Sequence, residues 1–284
     1  MSFNRLWPDM RVKPPRVAGL RLNPTCRFYD RLGSWVQFDE GIGFTVRDPI
    51  LGLIPTVAGG TGIKWVSTQY GVSGRGVAGD LVTFGSGSWP QAWRAFPYSI
   101  MAVVRPVIQT DGFEINFYGV VSGTSNTFGG SLGTSSAVPP IYQYNVWDGT
   151  IVVSVLGSAG VVGQWKTLVG VSESDSLHIL YEDGIEVARS TTTVTVGTGI
   201  SDLKWGRFGS ASNEYNTLLG YIWHNRALSP QEVFEISHWW WGTPDDPLLI
   251  GTPHRRTFEV PIGGVVDIPL QVFDDIDADE IRVA

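Results

Sequence analysis

The sequence predicts an all-β protein, and three observations carry that prediction. In 284 residues there are 35 glycines, 17 prolines and 12 tryptophans among many Val, Thr and Ser, the composition of short strands joined by tight turns. Several runs alternate apolar and polar residues, and two turn at Asp148-Gly149 and Asp183-Gly184, a strong hairpin signal. Only one stretch, around Ser229-Pro230, carries a full set of helix-start signals.

Met1 to Gly19 holds Pro8, Pro14 and Pro15 and shows neither a strand nor a helix period, so it reads as an extended arm. Strands begin at Ser34–Phe38. From Gly41 to Gly87 the glycines, including Gly71, Gly74, Gly76 and Gly79, separate short apolar pieces such as Ile63–Val66 and Leu81–Phe84, and read as turns between hairpins. Tyr98 to Pro106 is a strand expected to close at its proline, which cannot donate to a central ladder. Phe113–Val121, Ile141–Trp147 and Ile151–Leu156 follow, then Gly163–Val171 and Ser176–Arg189. In the last of these Leu177, Ile179 and Tyr181 share one face while His178, Leu180 and Glu182 share the other, with His178 expected to point outward. Trp35, Trp65, Trp165 and Trp205 lie in strand patterns and read as core aromatics.

The helix follows Gly220–Arg226. Ser229 is a good N-cap, Pro230 suits the first helical position, and Glu232 completes a capping box. Leu228 and Val233 are spaced as a hydrophobic staple. Trp239, Trp240 and Trp241 continue the run, with Gly242, Thr243 and Pro244 as its stop. Three consecutive tryptophans at a helix end are not expected to face one core together, so at least one should be exposed or covered by the C-terminal segment or a neighbouring chain.

Charged residues make up 17% of the chain, against about 25% in an average soluble protein, and hydrophobic ones 43%. The net charge of −7 argues against a general nucleic-acid binder, but the ends differ in sign. Residues 1–31 carry Arg5, Arg11, Lys13, Arg16, Arg21, Arg27 and Arg31 against Asp9 and Asp30. Residues 257–284 carry Glu259, Asp267, Asp274, Asp275, Asp277, Asp279 and Glu280 against Arg282 alone. The single cysteine, Cys26, has no intramolecular disulfide partner and reads as a buried thiol. No signal-peptide pattern and no apolar run near the ~18 residues of a membrane span is present, so assembly in a reducing cytoplasm is expected.

Gln164-Trp165 with Val169-Gly170-Val171, then Leu177-x-Ile179-x-Tyr181-x-Asp183-Gly184, then Gly220-Tyr221-Ile222 with Asn225-Arg226-Ala227-Leu228-Ser229 and Glu232, together resemble the laminin-G-like, or concanavalin A-like, jelly-roll superfamily. The resemblance covers about residues 20–236. It implies a two-sheet antiparallel jelly-roll sandwich with one short helix, flanked by extended arms. On it the chain divides into an arm (1–19), a jelly-roll domain (20–241), and a C-terminal extension (242–284) with one or two strands and an acidic tail. Trp239–Trp241, the Pro244–Pro253 turn and Arg255-Arg256 also resemble laminin-G-like proteins carried by tailed bacteriophages.

Catalytic patterns are sparse. Glycosidases of this fold need paired carboxylates on one strand, and Glu114 in Asp111–Phe117 has no acidic partner two or five residues on. His178, His224, His238 and His254 have no metal-ligand spacing, and His224 is expected to be buried with a partner. Ser86–Ser88 and Gly129-Gly130-Ser131 lack the following helix N-terminus of a phosphate loop and read as turns. The tail Asp274–Glu280 lacks the glycine and closing glutamate of a calcium loop and reads as solvated. No cofactor is expected, and a structural calcium, which related domains often hold, has no assignable position.

The resulting expectation is a non-enzymatic structural protein of a bacteriophage virion, a capsid decoration or minor head protein. Its candidate interaction surface comprises Arg5, Arg11, Lys13 and Arg16 of the arm, Trp239, Trp240 and Trp241, and Asp274, Asp275 and Asp277 of the tail. The expected partners are other virion proteins and further copies of the chain, with no nucleic acid and no membrane. The alternative is a carbohydrate-binding adhesion or tail protein that recognises host-surface glycans.

Overall fold

The computed structural model describes residues 21–37, 50, 56–58, 64–68, 71–76, 81–83, 95–108, 115–121, 129–135, 139–148, 152–196, 202–207, 214–243 and 245–250. Its early strands are β1 (Arg21–Leu22), β2 (Leu32–Gln37), β3 (Thr56–Ala58), β4 (Lys64–Thr68), β5 (Gly71–Gly76) and β6 (Leu81–Thr83). The middle of the chain supplies β7 (Tyr98–Ile108), β8 (Ile115–Val121), β9 (Gly129–Thr134), β10 (Ile141–Trp147) and β11 (Val152–Ala159). Then come β12 (Lys166–Ser174), β13 (Leu177–Glu182), β14 (Ile185–Ser190), β15 (Asp202–Arg207) and β16 (Glu214–His224). After the helix α1 (Pro230–His238) lie the short β17 (Gly242–Thr243), β18 (Asp246–Pro247) and β19 (Leu249–Ile250).

These strands form an antiparallel sandwich. The larger sheet has the order β14-β13-β12-β7-β16-β5-β4, with β2 beside the C-terminal half of β16, and the smaller has the order β11-β10-β9-β8-β15-β6-β3. Strands β10 and β11 pair with each other, while Gly149 between them lies outside the described residues, and at the second Asp-Gly Asp183 (φ 50°) and Gly184 (φ 84°) take the paired positive angles of a type I′ hairpin joining β13 to β14.

The larger sheet is buried on both faces, and the strand alternation shows how. In β7, Ile100, Ala102 and Val104 enter the core between the sheets, meeting Leu132, Tyr142, Tyr144 and Val155 of the smaller sheet. Met101 and Val103 point the other way into a second core. There they join Val169, Val171, Tyr221 and Trp223 beneath a layer built from Phe28, Leu32, Val233, Ile236, Trp240, Trp241 and Leu248. Each fully buried aliphatic side chain contributes about 1.5–3 kcal/mol relative to exposure.

Double-sided burial corrects the outward assignment of His178. The face division within β13 holds, but Leu180 enters one core while Ile179 and Tyr181 enter the other. His178 is fully buried, opposite Ser172. Its Nδ1 lies 2.9 Å from Ser172 Oγ, which lies 2.7 Å from the Tyr144 hydroxyl, so a hydrogen-bonded chain admits the ring to the core. His224 is half-buried, and burial followed by the nearby Arg31 charge holds its pKa below the ordinary value.

Three other expectations also change. Strand β7 does not stop at Pro106 but runs on to Ile108, because its pairing with β12 ends at Val104–Lys166. Beyond that point the proline's missing N–H has no ladder on the β12 side to interrupt. Gly129-Gly130-Ser131 is the start of β9 rather than a turn. A Cβ at Gly130 would lie 2.5 Å from the Tyr98 hydroxyl, so the glycine marks a close approach of the two sheets. Gly71, Gly74 and Gly76 lie inside β5, with Gly74 directly opposite Trp65.

The helix starts where expected. Ser229 accepts from the Glu232 N–H at 3.3 Å, and the Glu232 carboxylate accepts from the Ser229 N–H at 2.9 Å. Leu228 and Val233 are both buried in the outer core. It ends three residues before Trp241, at His238, with Trp239 as its C-cap. Asn225 takes the left-handed conformation (φ 53°) that turns the chain out of β16.

Two outcomes should follow. Gly170→Ala places a Cβ 2.4 Å from the buried Tyr144 ring, which Ser172 holds in place. It should destabilise the fold by about 1–3 kcal/mol, read from a urea midpoint. Burial lowers the His178 pKa from its ordinary 6.5, so the native state binds fewer protons than the unfolded chain below that pH. Its contribution is therefore complete above pH 6.5 and is lost as pH falls toward the lowered native value. The melting temperature of wild type should fall between pH 7.5 and 5.5, and by less in His178→Gln.

Candidate functional site

The three tryptophans do not form a surface. Trp240 and Trp241 are buried in the outer core and Trp239 is half-buried against it. All three pack on one core, against expectation, because the helix ends at His238 and they follow it in irregular backbone, while the expected cover by the C-terminal segment is present. Trp240 donates to Thr167 Oγ1 (3.0 Å), and Trp241 packs edge-on against Trp35 with ring centroids 6.4 Å apart. The C-terminal segment helps to cover them, as Leu248 is buried in the same cluster and its N–H donates to the Trp241 carbonyl at 2.7 Å.

Around this cluster, N- and C-terminal segments are stitched together. Asn23 Nδ2 donates to the Pro247 carbonyl (2.9 Å), and β1 pairs with β19. Cys26 is buried, its thiol 3.3 Å from the Asp246 carbonyl and its pKa pushed up to about 12 by burial. Arg27 pairs with Glu235 of α1, and Arg226 pairs with Glu232 while donating to the Asp30 carbonyl at 2.8 Å. These groups close the fold; their donors and acceptors are committed to one another.

The arm residues Arg5, Arg11, Lys13 and Arg16, the tail residues Asp274, Asp275 and Asp277, and Glu114, Ser86–Ser88 and His254 lie outside the described residues. Trp65 and Trp165 pack at the margins of the two cores, and Trp205 lies in β15. Among the described residues no group of three His, Cys, Asp or Glu side chains converges as a metal site.

Besides Trp35 Nε1, Trp241 Nε1 and Ser237 Oγ around the tryptophan cluster, buried polar atoms without a partner gather on the larger sheet at Arg75, Asn216 and Arg105. Tyr215 enters the inter-sheet core, so Asn216 takes the opposite face. Val103 belongs to the outer core, and Arg105, two residues on, shares its face. The register sets Asn216 opposite Arg105 on one side and opposite Arg75 on the other, and Arg75 opposite Lys64. Lys64, Arg75, Asn216 and Arg105 thus form one transverse row over four adjacent strands. The Arg105 guanidinium carbon lies 5.4 Å from the ring centre of Trp165, which extends the row toward β12.

The row is unusual in its unspent hydrogen bonds. Asn216 is 1% exposed, yet neither its amide oxygen nor its amide nitrogen has a partner. The Nε atoms of Arg75 and Arg105 are likewise buried and unpaired. Arg75 pairs with Glu214 through its terminal nitrogen, whereas Arg105 has no carboxylate partner among the described residues. Each such group costs about 1–3 kcal/mol if left unsatisfied, so the row is a place where a partner that both donates and accepts would be strongly stabilising. Sequence reasoning missed it because its members are far apart in the chain. The signal was present only as a lone polar residue at each strand end, Arg105 after Met101–Val104 and Asn216 before Leu218-Leu219.

No protein-family model matches the chain, and no curated protein is similar to it in sequence. Solved structures share the fold. The binding domain of Paraclostridial Mosquitocidal Protein 1 has a TM-score of 0.57 at 12% identity over 74% of this chain and 52% of that one. The binding domain of botulinum neurotoxin DC, in complex with SialylT, has a TM-score of 0.55 at 11% identity over 73% and 51%. Domain 4 of AbnA, an extracellular GH43 arabinanase from Geobacillus stearothermophilus in complex with arabinotriose, has a TM-score of 0.52 at 16% identity over 73% and 98%. The chain spans about half the length of the toxin binding domains it matches.

Proposed function

We propose that the chain is a non-enzymatic glycan-binding β-sandwich module, the alternative that the sequence allowed, with its site on the polar row of the larger sheet. The observation that carries this reading is Asn216, a buried amide with both its donor and its acceptor unspent. Sugar hydroxyls both donate and accept, so vicinal hydroxyls satisfy such an amide fully. Arg75 and Arg105 on either side add donors only. Support also comes from the structures that share this fold, since the toxin domain carries SialylT and the arabinanase domain carries arabinotriose.

The virion setting is a separate proposal that this one accommodates, as a phage-borne module for host-surface glycans anchored by its basic arm and acidic tail. Oppositely charged ends favour contacts between copies or with neighbouring proteins, weak singly and strong when many act together.

Two measurements test these proposals. The full chain on a glycan array should bind at least one glycan class, and a blank array would overturn the binding reading. Deletion of residues 1–18 should release the protein from the phage particle, and full occupancy without the arm would overturn the attachment.

A further inference from the structure

The glycan reading leaves open which sugars the row selects, and its charges bear on that. Lys64, Arg75 and Arg105 stand against a single carboxylate, Glu214, and that carboxylate is taken by Arg75. Arg105 is left as a half-buried guanidinium with a buried, unpaired Nε and no counter-charge among the described residues. A cation placed this way is costly unless an anion joins it, since desolvation weakens its hydration without supplying a substitute. The guanidinium carbon lies over the Trp165 ring, 5.4 Å from its centre, a contact that limits the positions the guanidinium can take while its N–H groups remain donors for an oxyanion.

We propose, resting on the glycan-binding reading, that the row is selective for acidic sugars and that Arg105 binds the anionic group, a carboxylate or a sulfate ester. The anionic oxygens accept from Arg105 and from the neighbouring Asn216 nitrogen, while the Asn216 oxygen accepts from an adjacent sugar hydroxyl. The ligand enters between the flanking arginine side chains, and Arg75, whose side chain is 30% exposed, stays paired with Glu214 on one side of it. Trp165 is a positioning residue that acts through Arg105. No side chain of the row serves as a nucleophile or acid, so the event is binding alone.

Matched sets on one array test this with the full chain: lactose, 3′-sialyllactose and 3′-sulfated lactose, and galactan against galacturonan oligomers. Binding confined to acidic members, or at least tenfold tighter for them, is the expected result. A preference for carboxylates over sulfates, or the reverse, identifies which anion the fork fits. Arg105→Gln should remove the acidic preference, and Arg105→Lys, which keeps the charge but not the fork, should retain only part of it. Asn216→Leu should abolish binding while raising the melting temperature by about 2–4 °C, because it removes two unsatisfied polar atoms. Equal binding of neutral and acidic members overturns the inference but leaves the glycan reading standing. Acidic preference unchanged in Arg105→Gln, or a lower melting temperature in Asn216→Leu, also overturns it. A blank array overturns both.

Discussion

The pairing of β7 with β16 is the constraint from which the rest of the architecture follows. Both strands are 11 residues long and lie at the centre of the larger sheet. A strand has two faces by geometry, and here both are apolar over most of their length, so each needs its own cover. The smaller sheet covers one face. Among the described residues no large second sheet covers the other, and that role falls to α1, the segment around Phe28 and the chain after the helix, with the two-stranded pairs β1-β19 and β17-β18. A glycine-rich chain with few helices therefore still commits to one capped helix.

Several bulky polar groups of that outer layer are satisfied as it closes, although Trp35 Nε1, Trp241 Nε1 and Ser237 Oγ are buried without a partner. Trp223 donates to the Phe28 carbonyl at 2.7 Å, and the Tyr221 hydroxyl to the Trp240 carbonyl at 2.9 Å, so bulky aromatics of β16 are buried without orphaned tips. Ser99 accepts from the Leu228 N–H at 2.9 Å and donates to the Arg226 carbonyl at 3.1 Å, tying β7 to the turn that leads into α1. The capping box then sets the direction of the helix. The tryptophan run is where these lines meet, and it works as filling rather than as a contact surface.

The row at Arg75, Asn216 and Arg105 concentrates buried polar atoms without a partner, four of them on three neighbouring residues. A folded domain is stable by only about 5–15 kcal/mol in total, so several unpaired buried polar groups are a large concession. Sites at which a protein breaks its own local rules are the places to look for function, and this one lies at the margin where the outer layer ends and β16 exchanges β2 for β5 as its neighbour. Two register shifts in β16, between Glu214 and Tyr215 and between Thr217 and Leu219, bracket the same spot.

Most of the fold was legible in the sequence. Alternation located the strands from Tyr98 to Arg189 other than β9, Asp183-Gly184 located a hairpin, and Ser229-Pro230 with Glu232 located the helix start, because each depends on residues within a few positions of one another. What local patterns could not convey was the second cover. His178 reads as outward only if a strand has a single buried face, and the three tryptophans as too many for one core only if the helix runs on through them. The row was illegible for a related reason: Arg75, Asn216 and Arg105 come together through the register of three strands from distant parts of the chain. Short-range chemistry determined the all-β class, the turns and the helix cap. Only the tertiary structure decided which polar residues the packing would pay to leave unpaired, because that depends on what lies across the sheet rather than along the chain.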